Sequence, residues 1–280
     1  MSEHRREAPR EPVRPGPVRI SLAVVRCLFR GLPRFFRASP KTPLRVLGII
    51  ALDTLRVLRT SQPMPRRRAG ELAMALDFLG CTNAAWDQKD DCRTEYEATL
   101  ERLHRAGLGP HIDAYLNRLG ELEVGRPRIG GDDRRFDEVR SYREAVARLC
   151  VQTAAAIALD GEFSDNAPPD TYRDNDVETL VRILLQCQII DDVVDYTDDV
   201  SAGLPSFLTA TGSVSQALEL TSGAARSYGA GGERSPRGAI FPFRITLALF
   251  TAAATFVVRL AERRYRQDPN LEAACRRAGT

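Results

Sequence analysis

The chain has 280 residues, 43% of them apolar and 28% charged, with 20 glycines and 17 prolines. This is ordinary globular composition; it excludes a disordered or collagen-like protein and leaves room for one large domain or two small ones. The formal charge of +3 hides a split: residues 1–70 hold 16 Lys/Arg against 4 Asp/Glu, net +12, and residues 71–280 hold 24 against 33, net −9.

Residues 1–16 carry Pro9, Pro12 and Pro15 among many charges without periodicity, which predicts a disordered basic tail. Residues 17–37 place Arg19, Arg26, Arg30, Arg34 and Arg37 between Leu22, Val25, Leu28, Phe29, Leu32 and Phe36, the pattern of a basic amphipathic helix with Pro33 as its breaking point. Residues 43–60 repeat the style, and Pro63 and Pro65 mark a break before Arg66-Arg67-Arg68. Residues 17–68 therefore form a basic unit distinct from the body at 69–280. A membrane-facing role suits the composition of residues 17–60, and so does the plainer alternative of two bundle helices with arginines outward.

Apolar periodicity predicts helices near 69–88, 93–106, 110–122, 136–160, 176–199, 214–228 and 239–266, and no alternating run of strand length stands out. Many are punctuated by Gly and Pro, as at Gly107 to Pro110, Gly203 to Pro205 and Gly229 to Gly238. The expected fold is all-α, a single large helical bundle. The longest apolar run, Ile245 to Val258, stops short of the roughly 18–20 residues of a membrane span and is expected to be a buried helix. The arginines in the first apolar stretch argue against a secretory signal.

None of the six cysteines forms a Cys-x-x-Cys pair, and only three histidines occur, which weakens thiolate zinc sites and histidine triads. Glu101-x-x-His104 matches half of a di-iron bundle motif, but no second pair exists. The chemistry sits instead in two acidic runs. Gln188-Ile-Ile-Asp191-Asp192-Val-Val-Asp195-Tyr-Thr-Asp198-Asp199 follows an apolar helix start. Asp191, Asp195 and Asp199 recur every fourth residue, so they share a helix face and repel one another unless a cation lies between them. Asn83, Asp87 and Asp91 show the same spacing, with Asp90 beside them. Two such clusters facing each other suit magnesium, which is held by a few carboxylates together with the oxygens of a substrate diphosphate.

These residues resemble the class I isoprenoid (terpenoid) synthases over roughly residues 70–266. The run from Gln188 to Asp199 looks like the second aspartate-rich motif of trans-prenyl diphosphate synthases. The Gly203-Leu204-Pro205 that follows it, and Ser141-Tyr142-Arg143-Glu144-Ala145 upstream of Cys150, are closer to squalene/phytoene synthases. Asp87-x-x-Asp90-Asp91 would be the first aspartate-rich motif, and Arg264-Tyr265 resembles the Arg-Tyr pair of bacterial terpene cyclases. The Gly-Gly-Lys signature of chain-elongating synthases is missing, as is the Asn-x-x-x-Ser-x-x-x-Glu motif of many cyclases.

The resemblance implies the class I terpenoid synthase fold with a central apolar cavity, with 69–280 as the synthase domain. It implies Mg2+ held by Asp87, Asp90 and Asp91 on one wall and by Asp191, Asp195 and Asp199 on the other, with Asp87, Asp191 and Asp195 central to catalysis. Arg143, Arg148, Arg182 and Gln188 would bind the diphosphate, and Tyr142, Trp86 and Phe78 would line the cavity, with Phe163 and Phe207 as further aromatic candidates. The substrate would be a prenyl diphosphate, ionised and then either coupled or cyclised, two outcomes the sequence leaves open. A transferase or lyase of this kind is expected in the cytoplasm, at the inner face of the membrane if residues 17–60 contact lipid. Nucleic acid is not an expected partner, because no reading motif accompanies the basic segment; a homodimer stays open. The rival class is a non-catalytic relative, a helical protein that binds prenyl lipid or lies on a membrane surface.

Overall fold

The computed structural model describes residues 43–86, 93–129, 133–159, 175–230 and 241–267. Among these residues every regular element is an α-helix: α1 Pro43–Thr60, α2 Arg66–Trp86, α3 Arg93–Arg105, α4 Gly109–Val124, α5 Asp133–Ala158, α6 Asn175–Val194, α7 Tyr196–Ala202, α8 Val214–Ala230 and α9 Phe241–Gln267. The all-α expectation is met, and most helix boundaries fall within a few residues of those the periodicity predicts. The basic tail 1–16 and the helix expected over 17–37 lie outside the described residues.

The apolar side chains gather in two adjoining cores. Leu52, Leu55 and Leu58 of α1 join Leu72 and Phe78 of α2, Leu103 of α3, Ile112 and Tyr115 of α4 and Ile157 of α5. The second core unites Val139 of α5, Leu185 and Ile189 of α6, Tyr196 of α7, Leu218 of α8 and Val258 of α9 with the loop residues Phe207 and Leu208. Helix α5 contributes to both, its C-terminal half to the first and its N-terminal half to the second, and α6 packs along it. Helix α1 is tied in further: the Arg56 guanidinium donates to the Ala158 carbonyl at 2.8 Å, and the Met64 amide donates to Asp53 at 2.6 Å. Residues 43–60 are thus a bundle helix with their apolar face in the protein. The 68/69 boundary falls in the first turn of α2.

Helix α9 departs from expectation. The apolar run is not a buried helix: it lies within Pro242–Tyr265, a stretch of 24 residues long and apolar enough to cross a membrane, and only 22% of its most apolar window is buried. The physical reason is sidedness. Phe243, Leu247, Ala254, Val258 and Ala261 pack inward on α6 and α8, while Ile245, Leu249, Phe256 and Leu260 face outward. Apolar content by itself does not reveal which face of a helix finds a partner.

Helices α8 and α9 meet closely at Gly229. A Cβ there would stand 2.4 Å from Thr251 Cγ2 and 2.7 Å from Thr251 Oγ1. The same threonine oxygen accepts a hydrogen bond at 3.0 Å from Gln186 of α6, whose amide also donates to the Ala225 carbonyl at 2.8 Å. Gly229→Ala is expected to lower stability by about 1–3 kcal/mol through overpacking, read as a shift in the urea midpoint. An unchanged midpoint would show that the α8–α9 contact yields freely.

Candidate functional site

The acidic run begins in the last turn of α6. Its helix is not continuous to residue 199 as the periodicity suggests: it bends at Asp195, which takes φ −96° and ψ 12° and precedes the first residue of α7. The i→i−4 bonding nevertheless carries through the bend, with Asp195 N donating to Asp191 O at 2.8 Å and Asp199 N to Asp195 O at 2.9 Å. Asp191, Asp195 and Asp199 therefore stay on one stripe, one turn apart. Asp191 and Asp195 are exposed and Asp199 is half-buried. Burial raises the Asp199 carboxyl above its ordinary value, and the Asp195 and Asp191 charges add to that, against a hydrogen bond from Ser206 and the positive charge of Arg143.

The turn after α7 has a specific task. Gly203 takes φ 66°, a left-handed conformation that glycine adopts without a Cβ penalty, and Leu204 N donates back to Asp199 O at 2.9 Å. Pro205 follows, and the chain folds back so that Phe207 N donates to Asp192 Oδ2 at 2.7 Å. The Gly-Leu-Pro sequence thus returns the backbone onto the acidic helix. Gly203→Ala is expected to cost about 1–2 kcal/mol of unfolding free energy in a urea titration, since an L-residue is strained there. No measurable loss would show that the turn relaxes to another conformation.

Asp192, adjacent to Asp191, has the opposite role. Its side chain is 5% exposed and pairs at 3.1 Å with Arg143 of α5, itself 16% exposed. Burial pushes the Asp192 carboxyl up to about 6, against the opposing effects of the Arg143 charge and the Phe207 amide. The sequence reasoning did not select Asp192. The available signal was its position three and seven residues after Ile189 and Leu185, both buried, which sets it on the core face.

Arg143 is ion-paired to the acidic end of α6, whereas Arg148 and Arg182 pair elsewhere. Arg148 donates to both Glu178 oxygens at 2.5 and 3.3 Å, and Arg182 Nε lies 3.7 Å from the same carboxylate. Glu178 is in the first turn of α6, and Arg182 precedes Asp191 by nine residues, a rise of roughly 14 Å. Arg143 Nε, Arg182 Nη1 and Gln188 Oε1 are buried polar atoms without a hydrogen-bond partner among the described residues. Tyr142 donates its hydroxyl to Glu123 at 2.5 Å, and burial with that bond holds its phenol above the ordinary range.

Phe78 is fully buried and stacks on Tyr96 with centroids 5.1 Å apart, so its ring is a core contact. Phe207 is likewise buried and tilted against Phe136 at 5.9 Å. Tyr265 meets Tyr196 edge-on at 5.6 Å, which brings the Arg264-Tyr265 pair beside the residue after Asp195. Trp86 is the last residue of α2, while Asp87, Asp90, Asp91 and Phe163 lie outside the described residues. His104 is exposed, with Nε2 3.1 Å from Asp113.

The donor set suits a magnesium ion shared with a phosphate ligand: hard carboxylate oxygens one turn apart, two of them exposed. Among the described residues no group of three His, Cys, Asp or Glu side chains stands so as to hold a metal ion by itself. Burial, and then the Asp191 charge, push the Cys187 thiol up to about 11, so it remains protonated near neutral pH. No protein-family model, curated protein or solved structure matches this chain.

Proposed function

We propose that this chain is a magnesium-dependent isoprenoid synthase of the class I terpenoid type, acting on a prenyl diphosphate. The observation that carries the reading is the stripe Asp191, Asp195 and Asp199 beside half-buried Arg143, whose buried Nε has no hydrogen-bond partner among the described residues. Like charges at this spacing are unfavourable by themselves, so the arrangement is suited to a cation.

Asp191, Asp195 and Asp199 would hold magnesium on this wall, and Asp87, Asp90 and Asp91 would supply the other. The metal supplies charge neutralisation of the diphosphate and makes it a better leaving group. Arg143 offers a rigid guanidinium to phosphate oxygens while Asp192, itself fixed by the Phe207 amide, holds it in place from behind. Gln188, one turn before Asp192, offers an amide on the same side of α6. Arg148 and Arg182 belong to this reading only if a substrate draws them from Glu178. After ionisation the allylic cation needs a dry apolar cavity with aromatic faces, for which Tyr142 and Trp86 are the candidates. Coupling of two prenyl chains and cyclisation of one are both compatible with this machinery.

The test is incubation with Mg2+ and prenyl diphosphates of several chain lengths, read by mass spectrometry of extracted hydrocarbons and by diphosphate release. A magnesium-dependent hydrocarbon product is the expected outcome. Binding of prenyl chains without turnover of any would favour the non-catalytic prenyl-lipid-binding reading instead.

A further inference from the structure

We infer that the outward face of α9 is a docking surface for an anionic lipid bilayer, on which the helix lies flat. Ile245, Leu249, Phe256 and Leu260 recur at spacings of four, seven and four, so they form one stripe along the helix. Leu249 and Phe256 are 65% and 66% exposed, values far from those of core residues. From Ile245 to Leu260 the stripe runs roughly 22 Å. A groove lined by Gly229, Ala248, Thr251, Thr255, Phe256 and Arg259 opens beside it.

Charge decides the occupant. Helix α9 carries Arg244, Arg259, Arg263, Arg264 and Arg266 against a single acidic residue, Glu262. Arg244 stands just before the apolar stripe, and Arg259, Arg263 and Arg264 are exposed toward its other end. A second copy packed on this face would oppose arginine to arginine in either direction. Parallel helices align like with like, and antiparallel ones set Arg244 against the 259–264 end. An anionic headgroup layer meets both ends with the complementary charge, and arginine stems reach the headgroups while the stripe enters the acyl boundary. Crossing the bilayer is the wrong geometry for this helix. Its other face carries Phe243, Leu247, Ala254 and Val258 into the protein, and Thr251 is hydrogen-bonded to the buried Gln186.

The surface is distinct from the acidic stripe, and its test needs neither magnesium nor prenyl diphosphate, so it can fail while the proposed activity stands. The full chain is sedimented with vesicles of phosphatidylcholine alone or mixed with phosphatidylglycerol, over a range of salt. Expected is binding to the mixed vesicles that weakens with salt. The double variant Leu249→Asp/Phe256→Asp should lose about tenfold or more in partitioning, because two exposed apolar anchors are replaced by charges of the wrong sign. Arg259→Gln/Arg263→Gln should lose affinity for the anionic vesicles and become less salt-sensitive. Both variants alter exposed side chains, and an unchanged melting temperature confirms that the fold is kept. Wild-type affinity in the Asp double variant would overturn the proposal, because the basic N-terminal segment would then suffice. So would the absence of binding by the wild type, or a dimer in sedimentation velocity that the Asp double variant dissociates while vesicle binding is unchanged.

Discussion

Asp191→Ala and Asp195→Ala are each expected to abolish magnesium-dependent diphosphate release while leaving the protein folded. Both carboxylates are exposed and stand one turn apart on the stripe that carries the proposed metal. A metal held against a leaving group contributes several kcal/mol, so losing one of its ligands should lower turnover by about 10³-fold or more. Stability should change by less than about 0.5 kcal/mol, because both side chains are exposed and stand one turn from a like charge. Parallel assays of release and urea unfolding separate the two effects. Release that persists in both variants would sink the site assignment; loss of release together with unfolding would mean that the stripe is structural.

Asp192→Ala should do the reverse and strike the fold first. The substitution leaves the half-buried Arg143 without its carboxylate and the Phe207 amide without an acceptor. Breaking a buried pair by removing one partner costs about 3–5 kcal/mol, a large share of a domain's stability. Asp192→Asn keeps the shape and isolates the ionisation. The folded carboxyl titrates at about 6, above its ordinary 3.8, so the native state holds the proton more tightly than the unfolded chain. The stabilisation from that proton is complete below the unfolded value and is lost as pH rises through the folded one. Between pH 3.8 and 6 the wild type should therefore lose stability relative to the Asn variant, by about 3 kcal/mol in all. Urea unfolding of the two proteins across that range, without divalent metal, measures the difference. A difference that stays flat would show that Asp192 is ionised throughout, held by Arg143.

Much of the helical architecture was legible because helix formation here is local. Apolar residues at three- and four-residue spacing mark each buried face, and Gly and Pro stop the helices where the backbone must turn. Pro63 and Pro65 separate α1 from α2, and Gly203-Leu204-Pro205 ends α7. The spacing of Asp191, Asp195 and Asp199 was legible for the same reason, since the four-residue period survives the bend at Asp195.

Partners at long range were not legible. The three arginines selected for phosphate binding look alike in sequence, yet Arg143 pairs with Asp192 and both Arg148 and Arg182 meet Glu178, 30 and 4 residues away. Phe78 and Tyr142 flank the motifs in sequence equally well. One ring is closed into the core against Tyr96, and the other hydroxyl is committed to Glu123.

The period of single helices was enough for the all-α class, the helix boundaries and an acidic stripe of like charges one turn apart, because each is a local property of one helix. What the tertiary structure decided is which of two adjacent aspartates is a buried strut and which faces solvent, and which side of α9 stays uncovered. Those outcomes depend on where α5, α8 and the returning Phe207 loop come to rest, and a one-dimensional pattern of apolar and charged residues does not encode which neighbour arrives on which face.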